Sequence, residues 1–451
     1  MQRFFIPINI ETIEFVRRYY YIANQLSFII HMKKKKIIVI GCGFGGLQFV
    51  ENLRKDVFDI LIIDKVNYHQ FQPLFYQVAA SQIEPATIAF PLRKIFQNRK
   101  DIRIRLATVE ALNNDEKTVE TSIGEFSYDY LIIASGAKTN YFGNIEIEKN
   151  SLSLKSTFKA MTIRNKTLMN FEKILYEDDK DALYNIVIVG GGPTGVELAG
   201  AFSEMKKEVL PKDYPNILAH NVNVYLLEGS DHTLSAMSPF AQKYSEKYLK
   251  KMGVIVKTGV FVKQYNGETV VLSNGETIVS KNVIWSAGVK GNPIDGIPED
   301  LILPSNRIKV NRLNRIESLD DVFAIGDVAY METEKYPKGH PQVANVAIGQ
   351  AKNLAKNLNR MTKDPQSKLK HYEYRNLGTM ATVGRNKALV DLPFAKFKGR
   401  FAWLIWMFLH LMLILSVRNK LVIFINWAWN YITKNSSLRL ILKDENEPLD
   451  I

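Results

Sequence analysis

The sequence predicts an α/β fold: two open parallel sheets flanked by helices, the second unit inserted into the first, then an apolar helical segment. Three observations carry this. A β-branched run that ends in spaced glycines occurs twice, as IIVIGCGFGGL from Ile37 and as NIVIVGGGPTGVELAG from Asn185, about 150 residues apart, an internal repeat of domain size. Each copy is followed by a second apolar run that ends in an acid, DILIID at Asp64 and NVYLLE at Glu228. Four of the five tryptophans, Trp403, Trp406, Trp427 and Trp429, fall together near the C-terminus.

The first copy reads as a buried parallel strand, a tight turn and a helix through Leu47, Val50 and Leu53. Gly41, Gly43 and Gly46 have the GxGxxG spacing of a Rossmann-like dinucleotide-binding unit. The first glycine makes the turn, the second admits a pyrophosphate to the backbone, and the third lets helix and strand approach. The helix N-terminus then offers free N–H groups and the positive end of its dipole. Asp64 lies where a carboxylate meets a ribose hydroxyl.

Length and composition allow two or three domains with a large core: 451 residues, 46% of them hydrophobic. The formal charge of +13 suits nucleic acid or an anionic surface. Neither zinc-finger spacing nor a basic repeat is present, so the basic surface is read as facing lipid and no nucleic acid is expected. No metal site is expected either. The single cysteine, Cys42, excludes an intrachain disulfide and a redox pair, and inside the glycine loop it reads as a small buried residue. Residues 1–31 lack clean periodicity and a cleavage site, and read as an extension upstream of Met32; a membrane-contacting arm is the alternative.

After Asp64 the chain is rich in aromatics, glutamine and proline up to Phe96, and reads as loop with a short helix near Arg93. Alternating runs over 102–133 form a meander that ends at ASGA, with Ser135 and Gly136. The second copy places Gly190, Gly192 and Gly195 in the same spacing, followed by a charged helix from Ala201 to Leu210 that stops before Pro211. Glu228 hydrogen-bonds a 2′-hydroxyl and repels a 2′-phosphate, so NADH is preferred to NADPH. A second meander over 254–279 leads to NVIWSAGV, with Gly288. Val322 to Ile325 is a short buried strand, and Gly326-Asp327 opens the next helix, where the acid can bind a ribitol hydroxyl or act as a plain cap.

The order GCGFGG, ASGA, GGGPTGVELAG, WSAGV and AIGDVA resembles the flavoproteins with two dinucleotide-binding domains. NYHQFQPLFYQVA, together with MATVGRNKALVDL and the aromatic tail, is similar to type II NADH dehydrogenases in particular, over roughly residues 35–440. That resemblance implies a single-subunit, non-pumping NADH:quinone oxidoreductase of a respiratory chain, with FAD and NADH bound, attached to one membrane face, the cytoplasmic side. It implies FAD at Gly41, Gly43, Gly46, Asp64, Ser135, Gly136, Gly326 and Asp327. NADH falls at Gly190, Gly192, Gly195, Glu228 and Gly288. Glu197 lies near flavin and nicotinamide, although a Glu early in a helix is also favoured by the dipole alone. The quinone would be met by Gln72 of the FQPL loop and by Asn345, Gly349 and Gln350.

The implied domains are an extension (1–31), an FAD-binding domain in two parts (32–150 and 291–390), an NADH-binding insertion (151–290) and a membrane-anchoring region (391–451). Two departures concern the quinone side. The family's AQxAxQ is represented by residues 344–349, with Asn345 and Gly349 in place of the glutamines, and Leu377 stands where a lysine is usual. Asn345 and Gly349 share one helix face, and Gly349 is expected to leave room for a water or a shifted headgroup.

The tail fits a membrane surface. FAWLIWMFLHLMLILSV (401–417) carries no charge, Arg418 to Lys420 form a polar break, and LVIFINWAWNYIT follows, with Lys396, Lys398, Arg400, Lys434 and Arg439 nearby. A helical hairpin lying in one leaflet is expected; a span and a buried homodimer interface are the alternatives. Sulfide oxidation and disulfide reduction require paired cysteines, and a ferredoxin-type reductase has no use for this tail. A membrane-bound NADH-sensing flavoprotein without turnover is the reading from a different class.

Overall fold

The computed structural model describes residues 34–435 and 438–442, so the upstream extension lies outside the described residues. β1 (Lys35–Ile40) enters the glycine loop and α1 (Phe44–Asn52) leaves it; β2 (Phe58–Asp64), β3 (Ile102–Leu106) and β4 (Tyr130–Ile133) follow. The inserted unit contains β5 (Leu152–Ser153), α2 (Thr157–Ile174), β6 (Asn185–Val189), α3 (Pro193–Glu204), β7 (Asn223–Leu227), α4 (Pro239–Met252), β8 (Val254–Lys257) and β9 (Asn282–Trp285). The chain then returns to the first unit with β10 (Val322–Ala324) and α5 (Ala344–Met361).

The two sheets have equivalent orders, β10-β4-β1-β2-β3 and β5-β9-β6-β7-β8, and every pairing in both is parallel. Parallel strands covered on both faces must be apolar on both, which is why IIVI and IVIV are continuous rather than alternating. Ile37, Val39, Ile60, Ile62, Val187 and Ile188 are accordingly buried. Each sheet carries a three-stranded antiparallel meander, over 109–127 and 262–279.

The last part of the chain forms an antiparallel sheet of β11 (Thr379–Thr382), β12 (Ala388–Asp391) and β13 (Lys396–Lys398). α6 (Gly399–Leu413) and α7 (Val417–Thr433) complete it. The sheet packs on α3: a Cβ on Gly200 would lie 2.8 Å from the Gly384 nitrogen, so only glycine permits this approach. Ala402, Trp406, Ile414, Ile423 and Trp427 join the largest core cluster. Trp427 Nε1 donates to Gln77 Oε1 at 2.8 Å, and Asn419 Nδ2 donates to the Thr87 carbonyl at 2.9 Å.

Four local expectations change. The helix over 201–210 does not stop before Pro211. A π turn over Met205–Val209, closed by Leu210 N–H on the Met205 carbonyl, widens it and a last turn runs to Asp213, so the missing proline N–H costs no bond. Gly326-Asp327 opens only a single 3₁₀ turn, and the long helix starts at Ala344. The aromatic loop contains a helical turn at Phe75–Ala79 besides the one at Leu92–Ile95. The break in the tail falls at 414–416, while Arg418, Asn419 and Lys420 lie in the first turn of α7, because Asn419 is spent on the body of the protein. α6 has 15 residues and α7 has 17, about 22 and 26 Å long against a hydrocarbon core of roughly 30 Å. Among the described residues no helix is long and apolar enough to cross a membrane.

Candidate active site

Both glycine loops are built as cradles. Gly41 has φ +89°, and a Cβ there would lie 2.5 Å from the Ala134 carbonyl oxygen. A Cβ on Gly46 would run into the Gly41 oxygen, whereas Gly43 has nothing within 4 Å. The second loop repeats the pattern: Gly190 at φ +104° lies against Ser286 and Ala287, Gly195 against the Gly190 oxygen, and Gly192 faces open space. In each loop two glycines allow close packing and the middle one leaves a bare backbone at a helix N-terminus, where a pyrophosphate fits.

The acids close the loops. Asp64 accepts from Cys42 N–H at 2.7 Å and Val66 N–H at 2.9 Å, and burial raises its pKa. Cys42 is buried and its thiol is pushed well up by burial and by Asp64, so it is inert, as its place in the loop implied. Glu228 accepts from Gly191 N–H at 2.5 Å and from Ser230 N–H and Oγ at 2.8 and 2.6 Å, which hold the carboxylate at the strand end. Ser135 Oγ donates to the Asn292 carbonyl at 2.6 Å and the Gly136 carbonyl accepts from Asn292 N–H, so this turn ties the two crossings between the units. Gly326 N–H donates to Gln350 Oε1 at 2.8 Å. Burial raises the Asp327 carboxyl, opposed by Lys155 and Arg307.

Between the units lies one cleft, lined by Gln72, Thr139, Lys155, Thr194, Glu197, Ser286 and Gly288 among others. It brings Gln72, Glu197 and Gly288 together. Asn345, Gly349 and Gln350 do not line it. Lys155 was not singled out in the sequence; it precedes Ser156, the N-cap of α2, and desolvation lowers its pKa despite the attraction of Asp327.

Residues 35–351 match the family described as pyridine nucleotide-disulphide oxidoreductase, and residues 376–434 match the NDH2 C-terminal domain. The type II NADH:quinone oxidoreductase NdhA of Mycobacterium tuberculosis is 30% identical over 416 residues, 88% of this chain and 87% of its own. This chain belongs to the type II NADH:quinone oxidoreductases. The mitochondrial internal alternative NAD(P)H-ubiquinone oxidoreductase A1 of Arabidopsis thaliana is 28% identical, over 89% of this chain and 84% of its own. The solved structure of NDH2 from Plasmodium falciparum in complex with NADH matches the fold with a TM-score of 0.83 at 19% identity, covering 91% of this chain and 100% of that one. The sulfide:quinone oxidoreductase of Aquifex aeolicus follows at 0.68 and 22%, with coverages of 89% and 96%.

In this type II oxidoreductase the helix expected to carry the altered quinone motif is arranged differently. Gly349 leaves no room for a water or a headgroup, because the Tyr372 ring fills the position a side chain would take. Asn345 is exposed on the first turn of α5. Gln350 is buried and spent on Gly326, beside the FAD motif, with its Nε2 lacking a partner among the described residues. The space beside Gly349 is thus taken by a tyrosine from 23 positions down the chain, which no local pattern reveals.

Glu197 is the most perturbed acid of the cleft. It lies in the second turn of α3 rather than the first, so the dipole alone does not explain it. Burial pushes its pKa up to about 8, and only the Thr382 N–H, at 3.3 Å, offsets this. Thr382 Oγ1 pairs with Tyr76 Oη at 3.1 Å. The folded state keeps a proton that the unfolded state, near 4.5, has lost. Stability attributable to Glu197 is therefore full below about 4.5 and lost as pH rises to about 8. Glu197→Gln is expected to flatten the decline of the unfolding midpoint across that window; an unchanged slope would show that Glu197 is ionised in the fold.

Proposed function

We propose that this chain oxidises NADH and reduces a membrane quinone, without pumping protons, at the cytoplasmic face of the membrane, as part of a respiratory chain. The observation that carries the reading is the pair of equivalent glycine cradles, the second of which leads through Thr194 into the cleft containing the buried Glu197. The first cradle, with Asp64 and Asp327, would hold FAD, and the second, with Glu228, would hold NADH. Bound FAD supplies the two-electron chemistry between the two substrates. Gly192 and the N-terminus of α3 hold the pyrophosphate of NADH, and Gly288 and Thr194 shape the cleft wall. Glu197 holds a proton inside the cleft at neutral pH. Gln72 bounds the cleft, and Asn345 offers a polar contact at the open end of α5. The exposed apolar faces of α6 and α7, rimmed by Lys396, Arg400, Arg418 and Lys434, rest on the lipid surface.

An anaerobic flavin spectrum, titrated with NADH and then with decylubiquinone, tests this. Bleaching by NADH and rapid return on adding quinone are expected; bleaching without return would leave the NADH-sensing flavoprotein. NADPH should be a poorer donor by at least about tenfold, roughly 1.4 kcal/mol, since Glu228 opposes a 2′-phosphate. Glu228→Ser should narrow that gap, and a wild type indifferent to the donor would contradict the placement of Glu228.

A further inference from the structure

The apolar tail contains one titratable side chain in its 17-residue uncharged run, His410. It lies on the inward stripe of α6 with Ala402 and Trp406, not on the outer face with Phe401, Leu404 and Phe408. Its ring stacks on Trp406, with centroids 3.9 Å apart and 21° between planes, and meets Phe71 edge-on at 6.2 Å. Phe71 meets Phe44 at 6.0 Å, and Phe44 is the first residue of α1, directly after Gly43. Phe71 also precedes Gln72 of the cleft. A continuous file of rings therefore runs from the first glycine cradle to the membrane hairpin, with His410 at its outer end.

His410 Nδ1 lies 2.8 Å from the Trp406 carbonyl. A carbonyl only accepts, so Nδ1 carries the hydrogen and Nε2 is left with a bare lone pair. Burial, only partly offset by that carbonyl, lowers the imidazole to about 4, so the ring is neutral at pH 7. Nε2 has no hydrogen-bond partner among the described residues, and the residue is only half-buried. A neutral Nε2 of this tautomer takes a hydroxyl and gives nothing to a carbonyl oxygen. The oxygens of a quinone headgroup only accept; its reduced form has two hydroxyls that donate.

We propose that His410 is a binding residue for the product, its Nε2 accepting a hydrogen bond from a hydroxyl of the quinol. This rests on the quinone reading above and adds to it a group that tells the reduced headgroup from the oxidised one. The test compares inhibition by decylubiquinol with the KM for decylubiquinone. His410→Phe keeps the stacked ring and removes both nitrogens; His410→Leu serves if Phe fails to assemble, with FAD content and NADH:ferricyanide rate as the checks. The quinol inhibition constant should rise about fivefold or more while the quinone KM stays within about twofold, the size of one lost hydrogen bond. His410→Gln, whose Oε1 accepts, should recover much of the loss. An unchanged inhibition constant, or one that rises in step with KM, overturns the proposal. A wild type that reduces ferricyanide but not decylubiquinone would instead sink the quinone reading itself.

Discussion

Gly195→Ala is expected to abolish NADH-driven reduction while FAD stays bound. The added Cβ would overlap the Gly190 carbonyl oxygen and lie 3.0 Å from Ser286 Oγ, so α3 has to move off the strand. It cannot move freely, because Gly200 on the same helix is pressed against Val383 and Gly384. The strain falls on the helix N-terminus, whose free N–H groups would face the pyrophosphate of NADH on the proposed reading. A loss of at least about a hundredfold in the rate of flavin bleaching by NADH follows, roughly 2.7 kcal/mol. Dithionite should still bleach the flavin and quinone should still restore it, because the first cradle is untouched. An NADH rate near that of wild type would mean that the helix adjusts, and the packing argument would fail.

The second large effect concerns the tail. Removing residues 399–451 would be the simple way to free an anchor, but here it is expected to give a protein that does not accumulate as a folded flavoprotein. Trp406 and Trp427 are core residues, and losing a buried tryptophan costs about 3–5 kcal/mol, so the pair approaches a typical domain's whole stability of about 5–15. The proposed membrane contact would use the other side of the same helices. Phe401, Phe408, Phe424 and Trp429 are each more than half exposed. Changing these four to serine forfeits about 1.5 kcal/mol or more apiece at the lipid surface, together a fall of roughly ten-thousandfold in partitioning. Sedimentation with vesicles in high salt reads this, since salt removes the contribution of the lysine and arginine rim. A fourfold variant that still pellets, or a truncated chain that is soluble and yellow, would reverse the assignment of faces.

What the sequence reveals about this molecule is what depends on neighbours in the chain. The spacing of Gly41, Gly43 and Gly46, the acid at the end of the next strand, and the repeat at Gly190 are all set within one strand-turn-helix unit. Gly46 and Gly195 make their close approach inside that unit, on the Gly41 and Gly190 oxygens, and the positive φ of Gly41 and Gly190 belongs to its turn. Glu228 is legible for the same reason. The surroundings of α5 and the tail are not, because their decisive contacts join distant segments: Tyr372 against Gly349, Gln350 under Gly326, Thr382 on Glu197, His410 against Phe71. The hairpin reads as a bare anchor because hydropathy counts apolar residues and not which side they face. Ala402, Trp406 and His410 recur at every fourth position and turn inward, while Leu404 and Phe408 turn outward. Pro211 misled for a related reason: a proline ends a regular helix, whereas a wider turn ahead of it lets the helix continue.

The order of strands in the first sheet has a consequence for biosynthesis. β4 lies between β1 and β10, and β10 is encoded about 190 residues after β4, so at about 5–20 residues per second it leaves the ribosome roughly 10–40 s later. In the interval the nascent first unit has four strands and an unpaired edge at β4, a surface open to chaperones and to wrong partners. The inserted unit waits about half as long, since β9, which pairs with the open edge of β6, is encoded about 100 residues after it. Gly326 and Asp327 emerge just behind β10, when that edge is sealed. The sheet begun first is therefore closed only after the whole inserted unit has been translated.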